Sequence, residues 1–141
     1  MLVRLLYASR VAAAVDADAL AAIVRESKRY NAGHGITGVL CFSGGLFMQV
    51  LEGGRSAVNR LYARIVADPR HSDVELLLYE EIGERRFAGW SMGEVDIASL
   101  NPGLLLKYSE TAALDPYAVS GRASMALFEE LAATAAVGGK P

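Results

Sequence analysis

A lone amide, Gln49, stands in the run Leu46-Phe47-Met48-Gln49-Val50-Leu51, and a polar group in such a place costs free energy unless something hydrogen-bonds it. Glutamine carries a donor and an acceptor on one rotatable group. Tyr7, near the end of the apolar run Leu2 to Ala8, supplies an oxidisable phenol. Other reactive side chains point to less chemistry. The single Cys41 lies in an apolar run, where desolvation raises a thiol pKa, and it reads as a buried small hydrophobe suited to a reducing compartment. His34 and His71 are far apart, and neither has a Cys, His or carboxylate at metal-ligand spacing. Arg64 and Asp68 stand at i, i+4, followed by Arg70 and His71, and read as an exposed ion pair near a helix end. Gly33-His-Gly-Ile-Thr-Gly38 matches the dinucleotide pattern G-x-G-x-x-G by letter, but a helix precedes it and a strand follows, the reverse of the context that pattern needs. These glycines read as a helix C-cap and a turn.

Gln49 belongs to a β-hairpin. Two apolar runs, Ile36 to Phe42 and Leu46 to Leu51, flank Ser43-Gly44-Gly45, glycines that can take the positive φ of a tight turn. Before it, Leu2 to Ala8 reads as a strand buried on both faces. Asp16 or Asp18 can cap a helix with Leu20, Ile23, Val24 and Ser27 on one stripe, ended by Gly33 and Gly35. After the hairpin, Ser56 starts a second amphipathic helix with Val58, Leu61, Tyr62, Ile65 and Val66 on its apolar side and Pro69 past its end. Val74 to Ile82 reads as a strand, and Trp90 to Val95 as a short final one, with Trp90 and Met92 two apart on it. The order is βαββαββ, an α+β, ferredoxin-like sheet with both helices on one face. In that topology the first strand lies between the third and fourth, so Tyr7 and Gln49 could be cross-strand neighbours aimed at the helix layer.

The other sheet face also needs a cover. Asn101-Pro-Gly103 breaks the chain, Leu104-Leu-Leu-Lys-Tyr108 is apolar, and after Asp115-Pro116 a helix carries Val119, Met125, Leu127, Phe128 and Leu131. This C-terminal unit reads as a cap on the sheet, a dimer surface, or both. Residues 1–97 form one domain, 98–137 a helical extension and 138–141 a flexible tail.

The whole chain has 141 residues, 52% of them hydrophobic, with a formal net charge of -2 and its cations dispersed. It suits one globular domain with an appendage and shows no electrostatic footprint for nucleic acid or an anionic membrane. No apolar run approaches a membrane span, and Arg4 and Arg10 interrupt any signal-peptide core, so a cytoplasmic location is expected.

Taken in order, Tyr7, Ser9, Asn31, Ile36-Thr37-Gly38, Gln49-Val-Leu-Glu-Gly53, Pro69-Arg-His71 and Phe87-Ala-Gly-Trp90-Ser-Met92 resemble the BLUF family, blue-light sensors using FAD, over about residues 2–96. The resemblance implies a flavin ring held between the two helices above the sheet, with Ile23 and Ile65 as ring contacts. It implies Asn31 on the pyrimidine edge, Arg64 and Asp68 as polar contacts from the second helix, Ser9 and His71 as further cofactor-site residues, and Gln49 as the link between Tyr7 and the flavin. It further implies a photochemical switch in which excited flavin takes an electron and a proton from Tyr7, Gln49 rearranges, and recombination leaves altered hydrogen bonds. Trp90 and Met92 would relay that change to residues 98–137. No cyclase, phosphodiesterase or DNA-binding domain follows, so the chain resembles the short, stand-alone type, not itself an enzyme, which signals to a separate effector protein and could form a homodimer.

Two other readings compete. Acylphosphatase-type hydrolases share the fold, but their phosphate-holding arginine needs a glycine-rich loop after the first strand, and the link after Arg10 is alanine-rich. A flavin-free interaction module would let Tyr7 and Gln49 simply bond each other in the core.

Overall fold

The computed structural model describes residues 1–12, 15–134 and 137–138. Ala13 and Ala14 of the alanine-rich link, and residues 139–141 of the expected tail 138–141, lie outside the described residues, while Gly138 is not free but paired to the sheet. The elements are β1 (Leu2–Val11), α1 (Ala17–Gly33), β2 (Thr37–Ser43), β3 (Leu46–Gly54), α2 (Arg55–Ala67), β4 (His71–Ile82), β5 (Gly93–Asp96), α3 (Pro102–Leu106) and α4 (Gly121–Ala133). They form a five-stranded sheet in the order β4-β1-β3-β2-β5, which is the expected ferredoxin-like core with β5 added parallel to β2.

Local chemistry explains most boundaries. Asp16 caps α1 by accepting from Ala19 N at 2.8 Å. The β2–β3 turn places Gly44 at φ 49° and Gly45 at φ 89°, two consecutive positive values that strongly favour glycine. α2 ends at Ala67, and Asp68 already has extended backbone. Strand pairing then puts Tyr7 directly opposite Gln49.

The helices lie on one face. Ile23 and Val24 of α1 pack with Leu40 and Phe47, while Val58 of α2 packs with Val3, Leu5 and Leu51. Val66, expected on the apolar side of α2, is 53% exposed, because it sits about a quarter turn from the stripe formed by Val58, Leu61, Tyr62 and Ile65. The C-terminal helices cover the opposite face. Met125, Leu127, Phe128 and Leu131 share one core with Leu6, Val39, Cys41, Met48 and Val50, and burying such side chains contributes about 1.5–3 kcal/mol each. Ser120 caps α4, so Val119 precedes the helix instead of lying on it. Asn101 likewise begins the short α3 by accepting from Gly103 N, so the expected break is a helix start. Gly138 returns to the sheet, exchanging backbone hydrogen bonds with Glu94 at 2.8 and 3.0 Å.

The last strand is shorter than its sequence suggests. It begins at Gly93, and the preceding Trp90 and Ser91 carbonyls accept from Gly38 N and Asn31 Nδ2, so Trp90 and Met92 lie in the connection before β5. Gly38 also lets β2 lie close against β3, since a Cβ there would overlap the Val50 carbonyl oxygen. Gly38→Ala must displace backbone, and a loss of about 1–3 kcal/mol is expected. Urea denaturation should show this as a lower midpoint at unchanged slope.

Candidate functional site

Between α1, α2 and the sheet lies a cavity of about 330 Å³, within the size range of small-molecule sites. Its floor is Tyr7, Gln49, Leu40 and Phe47, its walls include Ile23 and Ile65, and its rim carries Arg64, Asp68 and Arg70. The Tyr7 hydroxyl donates to Gln49 Oε1 at 2.5 Å. Gln49 Nε2 donates to Met92 Sδ at 3.0 Å. The orphan amide therefore has two partners on the protein itself, one on each of its polar atoms.

Burial, helped by the nearby Tyr62 and Asp68, pushes the Tyr7 phenol well above its ordinary range, so it stays protonated and stays a donor. Cys41, on the other sheet face, is likewise pushed up by burial alone and remains a thiol. Met92 lies with Ile23, Val24, Leu40 and Phe47 on the cavity side, whereas Trp90 packs against the core under the C-terminal helices. Of the two expected relay residues, Met92 alone touches Gln49.

Asn31, in the last turn of α1, is almost fully buried, with Nδ2 donating to Ser91 O at 2.8 Å. Its Oδ1 is buried without a partner among the described residues. An unsatisfied buried acceptor costs about 1–3 kcal/mol, and this one belongs to a residue that lines the cavity. A donor on a bound molecule would satisfy it. The N3–H of a flavin ring is such a donor, so the residues lining the cavity fit that group by chemistry.

The rim departs from the sequence reading. Arg64 and Asp68 do not pair: each side chain, at the end of α2, is engaged by another partner. Asp68 instead accepts from Arg70 Nε and Nη2, the shortest contact being 2.7 Å, and from Arg70 N. Those hydrogen bonds hold the Asp68 carboxyl below the usual carboxylate range. Arg70 also reaches Glu26 of α1 at 3.2 Å, tying the two walls together. Arg64 lies 4.4 Å over the Tyr30 ring, whose other partner is His34, stacked at 3.9 Å. Arg70, Glu26 and Tyr30 were not assigned to the site from sequence. Their only signal was position, Arg70 inside Pro69-Arg-His71 and Tyr30 beside Asn31.

Ser9 is fully buried and hydrogen-bonds His71 Nδ1 at 2.9 Å, so it meets the cavity through His71 and does not itself line it. The His71 ring, edge-on to Phe47, is held below the ordinary 6.5 by burial, against the opposing pull of Asp68. The folded His71 is therefore neutral where an unfolded one takes up a proton. Its contribution to stability is present above about pH 6.5 and is lost as pH falls through its depressed value. Asp68 acts with the same sign, lost at lower pH as its own depressed value is crossed. Thermal unfolding on either side of pH 6.5 should show a lower midpoint on the acid side, with the upper part of that loss absent in His71→Asn.

Comparison with known proteins bears on this geometry. Residues 2–93 match the family model for BLUF, described as sensors of blue-light using FAD. A photoactivated adenylate cyclase subunit beta from Euglena longa is 40% identical over 92 residues, 64% of this chain. The matched region spans only 11% of that relative's length. Among solved structures, BlsA in its photo-activated state superposes with a TM-score of 0.85 at 29% identity, covering 100% of this chain and 99% of that one. The dark state of BlrB, a BLUF protein, gives 0.80 at 36% identity over 94% of this chain and 96% of that one.

Proposed function

The chain belongs to the BLUF family of flavin-binding blue-light sensors, and from that premise we propose that its cavity holds FAD and that Tyr7, Gln49 and Met92 are its light switch. The observation that carries the assignment is the buried chain of hydrogen bonds from Tyr7 Oη through Gln49 to Met92 Sδ, on the floor of a cavity with one unpartnered acceptor. Asn31 Oδ1 would take the ring's N–H, Ile23 and Ile65 would enclose the ring, and Arg64 and Arg70 would supply donors to its carbonyls, with Asp68 and His71 holding the rim in shape. The flavin would supply absorption of blue light and an excited state that accepts one electron and one proton, both returned to Tyr7 on recombination.

The rest is the chain's own chemistry. A thioether only accepts hydrogen bonds. If the Gln49 side chain turns end over end, Oε1 faces Met92 Sδ, two acceptors meet, and that hydrogen bond is lost. Nε2 then faces Tyr7, whose hydroxyl must accept where it had donated. One rotation thus changes both ends of the network, and the change reaches the connection before β5 through Met92. The cover formed by α3 and α4 adjoins that connection through Trp90 and Phe87, and we assign the output there, to a separate effector protein. The domain is on this reading a sensor without catalysis of its own. No helix among the described residues is long and apolar enough to cross a membrane.

The test is the visible spectrum of the purified protein in the dark and after a blue flash. Bound flavin whose absorption shifts slightly to the red and recovers in the dark is the expected result. A bound flavin that only bleaches would overturn the switch, and failure to take up FAD would overturn the site.

A further inference from the structure

The irregular connection 83–92 carries Trp90 and Met92 from β4 to β5, and its backbone depends on side chains from elsewhere in the chain. Arg86 N and Phe87 N, two adjacent donors with no strand or helix to satisfy them, both donate to Glu52 Oε1, at 3.0 and 2.7 Å. Glu52 is fully buried on β3. Its other oxygen accepts from Arg4 Nε at 2.9 Å and Arg4 Nη2 at 2.7 Å. A buried ion pair is by itself weak evidence for stability, since apolar side chains of similar volume often serve as well. What apolar side chains cannot do is accept two backbone N–H groups.

Glu52 lies three residues from Gln49 on the same strand, so the two side chains point to opposite faces of the sheet. Glu52 grips the connection on the side of the C-terminal cover, where Phe87 meets the Phe128 ring edge-on at 6.4 Å. Asn31 and Gln49 grip it on the cavity side, at Ser91 and Met92. We infer that Glu52 is a positioning residue of the switch: by anchoring Arg86 and Phe87 to β3, it fixes where the chain crosses toward the cavity and so holds Met92 Sδ within reach of Gln49. The inference rests on the Gln49–Met92 contact being the signal path proposed above.

The decisive comparison is between two double variants, R4L/E52Q and R4L/E52L. Both remove the ion pair, and only the first keeps an acceptor for Arg86 N and Phe87 N. Methyl NMR of labelled methionine, with Met92 identified by Met92→Leu, reports the contact directly. In the dark, the Met92 signal should stay near its wild-type position in R4L/E52Q and move in R4L/E52L. After blue light, the Met92 shift should persist in R4L/E52Q and be lost in R4L/E52L, while both keep the red shift of the flavin. Equal behaviour of the two double variants, whether both like wild type or both altered, would overturn the inference, because only the lost acceptor separates them. If R4L/E52L does not unfold cooperatively, R4L/E52M makes the same comparison. A wild-type protein that takes up no flavin or shows no red shift would overturn the light switch but leave the dark comparison to decide the role of Glu52 on its own.

Discussion

Tyr7→Phe is expected to leave the flavin bound and to abolish the light-induced red shift. The substitution removes one oxygen from a ring that is 1% exposed, so the packing against Tyr62 at 5.8 Å and the strand pairing are kept. Two things are lost together. Phenylalanine is far harder to oxidise than a phenol, so the source of the electron and the proton is gone. Gln49 Oε1 also loses the only donor it has among the described residues, and a buried carbonyl left in that state costs about 1–3 kcal/mol. The protein should therefore be somewhat less stable, still yellow, and more fluorescent, because a quencher beside the chromophore has been removed. Absorption difference spectra before and after a blue flash measure the first effect, and flavin emission the second. A full red shift in Tyr7→Phe would sink the proposed switch.

Gln49→Leu should abolish the same response by a different route. Here the phenol stays, so excitation can still draw on Tyr7 and flavin emission should remain quenched. What disappears is the single group that can present a donor or an acceptor to either side. Met92 Sδ loses its hydrogen bond and the Tyr7 hydroxyl loses its acceptor, at a cost in stability similar to that of the first variant. Gln49→Glu separates the two functions, since a carboxylate keeps the acceptor for Tyr7 but offers no N–H to Met92. The expected order is a full shift in the wild type and none in Gln49→Leu, with Gln49→Glu giving a dark spectrum already altered and no further response. A normal, reversible shift in Gln49→Leu would place the switch outside this network.

The two variants also distinguish oxidation from relay. Loss of the shift with high emission identifies a missing electron donor, and loss of the shift with low emission identifies a missing relay. Neither outcome depends on how the signal leaves the domain, the step for which we propose Met92 and Glu52.

Much of this arrangement was legible in the residues alone, because the signals involved are local. Alternating and continuous apolar runs, the Gly44-Gly45 turn and the Asp16 cap each act over a few residues, so they mark strands, hairpin and helices wherever the chain goes. The ferredoxin-like order then placed Tyr7 beside Gln49 through topology. The tertiary structure decided what depends on where chain ends and crossings fall. Sequence left Trp90 and Met92 equivalent, whereas the crossing before β5 sends Met92 to the cavity and Trp90 to the other core, with the Trp90 and Ser91 carbonyls held by Gly38 N and Asn31 Nδ2. Spacing paired Arg64 with Asp68, but the chain turning after α2 brings Arg70 to the carboxylate, and the Arg64 guanidinium lies over Tyr30. Glu52 stood in the motif Gln49-Val-Leu-Glu-Gly53, but nothing near it in the chain pointed to what it holds. Its meaning lies in two N–H groups 34 and 35 residues away, and a hydrogen bond to a distant, irregular backbone leaves no periodicity in the sequence to be read.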